Sequence, residues 1–217
     1  MKLKNYILFT IIFLTGIIVN AQLESGLLLG LTNASTTDIN ATTDAATGSL
    51  VFNTDTNQVY VFDGTSWSQM GQKNTYTGTF RITSTGSLSI TDIPFQPSSV
   101  SFVAYANVED YDMDIDNGTR NNESGLPNTY GSMKGFARDD NGSITEQVIF
   151  NGGSGNSIND ISRYASSSHS IGIRYANQNG DNLGLTTATV NAFTSNGFTL
   201  NTDNYADGIV VIFEAHR

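Results

Sequence analysis

The apolar positions of the chain follow two patterns. An almost unbroken apolar run covers Tyr6–Val19, and after it apolar residues alternate with polar ones over short stretches. Alternation with a period of two is typical of β-strands that bury one face. Turn-forming residues separate these stretches, so the pattern predicts an all-β chain after the first run.

The part of the chain from residue 72 to residue 217 has the strand spacing of one β domain. Val100, Phe102 and Ala104 alternate with polar residues, while Ile209–Ala215 is apolar on both faces and is predicted to lie centrally in a sheet. Many short strands with polar turns favour an antiparallel β-sandwich or jelly roll. The predicted strands are Thr79–Ile82, Ser87–Ile90, Ser99–Ala106, Ser132–Arg138, Thr145–Phe150, Ser170–Tyr175, Thr187–Phe193, Phe198–Asn201 and Ile209–Ala215.

An arm and a small β-hairpin module, residues 22–71, precede this domain. The arm has no apolar periodicity as far as Thr47 and is predicted to be extended or partly helical, without a core of its own. Two strands then follow, Gly48–Asn53 and Gln58–Phe62, and Asp63-Gly64 forms a tight turn. A lone hairpin is marginal in water, so this one needs a partner.

The hairpin residues resemble a short module of Bacteroidetes-type surface proteins and phage tail fibres. The resemblance is carried by the run from Gly48 through Phe52-Asn53-Thr54 to Asp63-Gly64-Thr65 and Trp67. Such fibre modules are commonly trimeric, so the resemblance implies a homotrimer assembled through residues 22–71. The apolar residues available for assembly are Leu27, Leu28, Leu29, Leu50, Phe52, Tyr60, Phe62 and Trp67. The alternative is a monomer in which this segment folds back onto the domain that follows.

The second domain is similar to a β-sandwich domain of phage tails and related bacterial proteins. The similarity is carried by Pro94–Phe102, by Ser195–Leu200 and by the closing strand Ile209–Ala215. The segment Asn107–Asn128 is an insertion relative to that pattern, so its loops have no counterpart there.

The first 21 residues have the layout of a cleaved secretory signal peptide. Lys2 and Lys4 precede the apolar run, and Val19-Asn20-Ala21 provides a cleavage site before Gln22. We therefore expect export by the general secretory route to the cell surface or medium, without membrane insertion after cleavage. The alternative is an uncleaved anchor, although the run is short for a bilayer span.

Composition narrows the choice of partners. The formal net charge is −10, and removal of the two positive charges at Lys2 and Lys4 leaves −12. Such a charge repels phosphate backbones, so nucleic acid is not an expected partner. Only 14% of residues are charged and none is cysteine, so disulfides cannot stabilise the fold.

One acidic segment carries the spacing of a calcium-binding loop. Asp112, Asp114 and Asp116 occupy relative positions 1, 3 and 5, with Glu123 at position 12. Position 6, usually glycine, is Asn117 here. The alternative is a strand whose acidic side chains face water. Calcium is thus the one cofactor that the sequence suggests.

The rest of the sequence favours binding or structure over catalysis. The motifs Gly-x-Ser-x-Gly and His-Glu-x-x-His are both missing, so we expect no enzyme, and His169 and His216 are interpreted as solvated or capping residues. Tyr111, Tyr130 and Tyr164 lie in turn-rich segments and are candidates for stacking on a glycan. Three functions remain open: adhesion through glycan binding, a structural subunit of an extracellular fibre or matrix, and hydrolysis of a polysaccharide.

If calcium occupies the acidic loop, the thermal midpoint of unfolding should be higher in millimolar calcium than in EDTA, because a ligand that binds only the folded state stabilises it. The paired substitution Asp112→Asn and Asp114→Asn should abolish the difference. Equal midpoints in calcium and EDTA for the unsubstituted chain would contradict the calcium assignment and support a solvated strand.

Overall fold

A computed structural model describes residues 30–112, 126, 128–157 and 159–217. The predicted signal peptide and the Leu27–Leu29 stretch lie outside these residues. The chain divides into two compact units, Met1–Gln72 and Lys73–Arg217. Among the described residues, strands are the main secondary structure of both units, and the predicted all-β class is confirmed.

The first unit is a four-stranded sheet with one short helix. Its elements are β1 (Thr32–Ala34), α1 (Thr36–Ala41), β2 (Leu50–Asn53), β3 (Gln58–Phe62) and β4 (Trp67–Gln69). The strand order is β1-β2-β3-β4, with β1 parallel to β2 and the other pairs antiparallel. Ser35 caps the helix because its hydroxyl accepts a hydrogen bond from the Asp38 amide at 3.2 Å.

The second unit is a sandwich of two antiparallel sheets. The strands are β5 (Thr75–Ile82), β6 (Gly86–Ile90), β7 (Ser99–Tyr105), β8 (Thr129–Asp139), β9 (Ile144–Ser154), β10 (Ile161–Ser166), β11 (Ile171–Ala176), β12 (Asn182–Thr194), β13 (Gly197–Asn204) and β14 (Ile209–His216). A six-stranded sheet has the order β10-β9-β8-β7-β14-β5, and a four-stranded sheet has the order β11-β12-β13-β6.

Four phenylalanines fill the middle of the core between these sheets. Phe198 projects from the four-stranded sheet, and its ring centroid lies 5.8 Å from that of Phe102 and 5.3 Å from that of Phe213. Phe80 completes the group, at 6.4 Å from Phe198. Because Phe80, Phe102 and Phe213 belong to three strands of the other sheet, Phe198 joins both layers through edge-to-face aromatic contacts.

All nine strands predicted for this unit are present, mostly extended by a few residues. The missed strand is β10, whose inward positions include Ser162 rather than an aliphatic residue. The Ser162 hydroxyl is satisfied by donating to the Arg174 carbonyl at 2.7 Å, so a polar residue is tolerated there. The end of β9 includes Gly152 and Gly153, which extend it beyond the predicted Phe150.

The predicted central place of β14 is confirmed, but one of its faces is not buried. The strand lies between β7 and β5, with Val211 and Phe213 buried in the core. On the opposite face Ile212 and Glu214 are exposed. The apolar residues on that face therefore do not contribute to the core of a single chain.

Replacing Phe198 with alanine should lower the free energy of unfolding by about 3–5 kcal/mol, because it removes a buried ring that contacts both sheets. Urea denaturation followed by circular dichroism at a fixed protein concentration measures this change. The control is Leu183→Ala, an exposed leucine that should change stability by about 0.5 kcal/mol or less. A similar small change for Phe198→Ala would contradict the assignment of Phe198 to the core.

Candidate functional site

The buried side chain of Asn53 organises the first unit. Its carboxamide oxygen accepts hydrogen bonds from the amides of Asp55 at 2.9 Å and Thr56 at 3.2 Å, which shapes the turn after β2. Its nitrogen donates to the Thr36 hydroxyl at 2.9 Å, at the start of α1. One fully buried amide thus fixes the hairpin turn and the helix together.

Two further contacts fasten the arm to the hairpin. The Thr36 amide donates to the carboxylate of Asp55 at 2.8 Å, and the Thr54 amide donates to the Ala34 carbonyl at 3.0 Å. These contacts, with those of Asn53, explain why an Asn-Thr-Asp run follows the strand. The run is a docking element for the arm rather than a chemical site.

The turn before β4 is held in a similar way. The carboxylate of Asp63 accepts hydrogen bonds from the amides of Ser66 and Thr65, both at 2.7 Å, and these bonds keep the pKa of Asp63 below its ordinary value. Trp67 then donates from its indole nitrogen to the Thr42 carbonyl at 2.8 Å and packs against Phe62. The tryptophan therefore joins the end of the sheet to the arm.

The sheet of the first unit has two unlike faces. The inner face is closed by the arm, where Ile39 of α1 is buried with Val51 and Phe62. The expectation that the arm lacks a core is therefore wrong for its helical part. A small internal core also explains how so short a sheet can exist within one chain.

The outer face of this sheet is apolar and only partly covered. Leu50 is opposite Val61 in the strand register, and by alternation both lie on the side away from α1. Leu50 is 42% exposed and Met70 is 47% exposed. We call this surface the outer face of the first unit; its members are Leu50, Phe52, Val59, Val61 and Met70.

This arrangement changes the set of residues predicted for assembly. Phe62 is buried inside the unit, and Tyr60 and Trp67 lie on its inner side, so none of the three belongs to the outer face. Leu50 and Phe52 do belong to it. The alternation of Leu50 with Phe52 in β2 is the sequence signal from which this face could have been found.

His169 lies in a hydrogen-bond network in the second unit rather than in solvent. Its Nε2 is 2.8 Å from a carboxylate oxygen of Asp203, and its Nδ1 is 2.8 Å from the Ser166 hydroxyl and 3.2 Å from that of Tyr164. Burial raises the pKa of Asp203, but hydrogen bonds from His169 and Thr187 outweigh it and leave that pKa below its ordinary value. Sequence reasoning missed this network because His169 and Asp203 are 34 positions apart.

The network has the residue types of a Ser-His-Asp triad, but its geometry is that of a structural clamp. Three hydroxyls share Nδ1, and the Ser166 oxygen also accepts a hydrogen bond from the Ser168 amide at 3.2 Å. Asp203 is also bound by the Thr187 hydroxyl at 2.9 Å. These contacts join the end of β10, in the six-stranded sheet, and the turn that follows it to β13 of the four-stranded sheet.

Glu146 is a second partly buried carboxylate close to this clamp. Burial raises its pKa, while the Val190 amide, which donates to it at 2.6 Å, opposes that shift. The carboxylate joins β9 of the six-stranded sheet to β12 of the other. It therefore adds a polar connection between the two layers.

The predicted calcium ligands fall mostly outside the described residues. Asp112 is described and exposed, whereas Asp114, Asp116 and Glu123 lie in the segment that is not. Within the described ranges, no group of three or more histidine, cysteine or acidic side chains could hold a metal ion. The calcium loop stays a prediction.

The three candidate tyrosines differ in their surroundings. Tyr111 and Tyr130 are exposed, and the Arg81 guanidinium lies 5.9 Å from the centre of the Tyr111 ring. Tyr164 lies in β10, is half-buried and contacts His169. Tyr130 lies in β8, so the placement in turn-rich segments is wrong for both Tyr130 and Tyr164. The role of all three tyrosines in ligand binding stays a prediction.

Comparison with known protein families gives one match. The model of a phage tail like trimerisation region matches residues 19–86, which include the whole sheet of the first unit and strand β5. This supports a phage-tail-like region in the N-terminal part of the chain, as the hairpin residues implied.

No curated protein matched the chain significantly, and no solved structure did so either. A search of the described part of the chain found no helix long and apolar enough to span a membrane.

The substitution Asn53→Ala should destabilise the first unit by about 2–4 kcal/mol, because it removes the fully buried carboxamide that binds two amides of the turn and the Thr36 hydroxyl of α1. Trp67, the only tryptophan, lies in this unit, so its fluorescence during urea denaturation reports the change. Thr56→Ala is the control, since Thr56 uses its backbone amide for the contact with Asn53. Equal midpoints for both variants would contradict the organising role of Asn53.

Proposed function

We propose that this protein is a homotrimeric structural subunit of an extracellular fibre or matrix. Residues 22–71 are the assembly region in this proposal, and the sandwich of residues 73–217 is the part that each subunit displays. The proposal includes export by the predicted signal peptide and no catalytic activity.

The observation that carries the proposal is the outer face of the first unit. Four of its five apolar side chains come from the adjacent strands β2 and β3 and the fifth, Met70, directly follows β4; Leu50 and Met70 are nearly half exposed. Full burial of side chains of this size contributes roughly 1.5–3 kcal/mol each. Exposed apolar patches that are rimmed by polar residues mark association surfaces.

The number of subunits comes from the comparison rather than from the geometry. The segment that carries the outer face lies inside the match to a phage tail like trimerisation region. A cyclic assembly of three copies would cover the same face in every copy. This supports three copies as the proposed state.

Adhesion through glycan binding is a second candidate for the displayed sandwich. The exposed rings of Tyr111 and Tyr130 favour it, because tyrosine combines stacking area with a hydroxyl that forms hydrogen bonds. The two functions are compatible, since a fibre can present a binding domain. Screening the protein and its Tyr111→Ala and Tyr130→Ala variants on a glycan array separates the candidates, because a purely structural subunit should retain no glycan.

We expect the chain without residues 1–21 to have the mass of a trimer in size-exclusion chromatography with light scattering. The paired substitution Leu50→Asp and Val61→Asp should dissociate it to monomers at micromolar concentration, because it places carboxylates opposite each other on the outer face. Trp67 lies on the inner side, so unchanged tryptophan fluorescence would show that the unit still folds.

The matched control is Leu183→Asp, which introduces a carboxylate at an exposed leucine of the second unit and should leave the trimer intact. A monomeric mass for the unsubstituted chain would refute the proposed function. A trimer that persists in the paired variant would exclude the outer face as the assembly surface.

A further inference from the structure

The outer face of the six-stranded sheet in the second unit carries an apolar patch. Large apolar side chains project there from four neighbouring strands. We call these residues the sandwich patch; they are Ile212 of β14, Tyr105 of β7, Phe136 of β8 and Ile149 of β9. All four are exposed in the single chain, and Ile149 is the most exposed at 61%.

The strand register makes this patch continuous. Ile212 is paired with Val103, Val103 with Lys134, and Lys134 with Ile149, so these residues form one row across four strands. Tyr105 and Phe136 lie on either side of that row. Residues adjacent along each strand point into the core, so the patch does not stabilise the sandwich of a single chain.

A groove of about 650 Å³ lies within the patch. It is lined by apolar side chains such as Val103, Phe136 and Ile149, with Lys134 and Gln147 among its polar residues. The lining includes the rings of Tyr105 and Phe136, but most of its exposed surface is apolar, which favours a protein surface as occupant over a sugar whose hydroxyls need hydrogen-bonding partners.

We infer that the sandwich patch is a second self-association surface, covered by a neighbouring copy of the same chain. The inference rests on the proposed trimer. Its support is continuity: β5 lies within the residues matched to the trimerisation region and is also the edge strand of this sheet. Thr79 of β5 is paired with Ile212, so the matched region reaches the row of residues that forms the patch.

With this second surface, copies of the chain contact one another through the sandwich as well as through the first unit. A stable interface buries on the order of 800 Å² on each partner. The outer face of the first unit offers five apolar side chains among the described residues, which is a small apolar area for such an interface. A second contact on the sandwich gives each copy a fixed place relative to its neighbour.

Thiol labelling tests the inference without ambiguity from native thiols, because the chain contains no cysteine. The variants are Ile149→Cys in the patch and Leu183→Cys on the other sheet, each prepared in the chain without residues 1–21. In an isolated chain Ile149 is 61% exposed and Leu183 is 36% exposed, so position 149 should react with a maleimide at least as fast.

In the trimer we expect the reverse order, with Ile149→Cys reacting roughly tenfold more slowly than Leu183→Cys, because a covered thiol reacts only after the interface opens. Both variants should react equally fast in guanidinium. Fast labelling of Ile149→Cys in a chain with trimer mass would overturn this inference and leave the proposed function intact. A monomeric mass would refute the proposed function and this inference together.

Glutamate substitutions in the sandwich patch and competition by a soluble glycan test the same inference in two other ways. Ile149→Glu combined with Ile212→Glu should raise the protein concentration at which the trimer dissociates by roughly tenfold or more in a dilution series. The control Leu183→Glu should leave that concentration unchanged. If labelling of Ile149→Cys is fast and is slowed only by a soluble β-glucan, the groove binds a glycan and the inference is wrong.

Discussion

The buried carboxamide of Asn53 is the interaction on which the first unit depends. This one side chain forms hydrogen bonds both to the turn after β2 and to the start of α1 in the arm. Because the arm then closes one side of the sheet, the other side is left with Leu50, Phe52 and their neighbours as an apolar surface. A single polar contact inside the unit thus determines which side of the sheet is available to other molecules.

The six-stranded sheet of the sandwich likewise has one side packed in the core and one exposed apolar side. Phe198 and its aromatic neighbours fill the space between the sheets, and the clamp of His169 and Asp203 connects the two layers near one turn. The outer side of the six-stranded sheet instead presents aliphatic residues to solvent. Two separate units therefore expose apolar sheet faces, which is the arrangement that a subunit of a larger assembly requires.

Strand positions were predictable from the sequence wherever apolar residues alternate, as in Val100, Phe102 and Ala104. Apolar alternation does not reveal β10, because its inward residue Ser162 is polar and its hydroxyl donates a hydrogen bond to the carbonyl of Arg174. Alternation also does not reveal that the arm joins the sheet, because β1 is short and pairs in parallel with β2 across an intervening helix. Both failures have one cause: the contacts join residues far apart in the sequence.

The candidate sites were less predictable than the fold. The motif residues of the hairpin were recognised, but their task of holding the arm became visible only from the contacts of Asn53 and Asp55. The clamp of His169 could not be found by any local motif, because its partner Asp203 lies 34 positions away, in β13.

The position of β14 has a consequence for the order in which the sandwich folds. Among the described strands, β14 is the one neighbour of β5 in its sheet, and β14 follows it by more than a hundred residues. β5 therefore waits in the growing chain until Ile209–His216 has been synthesised and can insert beside β7. Closure of this sheet is a late step that depends on long-range pairing, which makes folding slow and keeps the nascent chain open until its last strand is available.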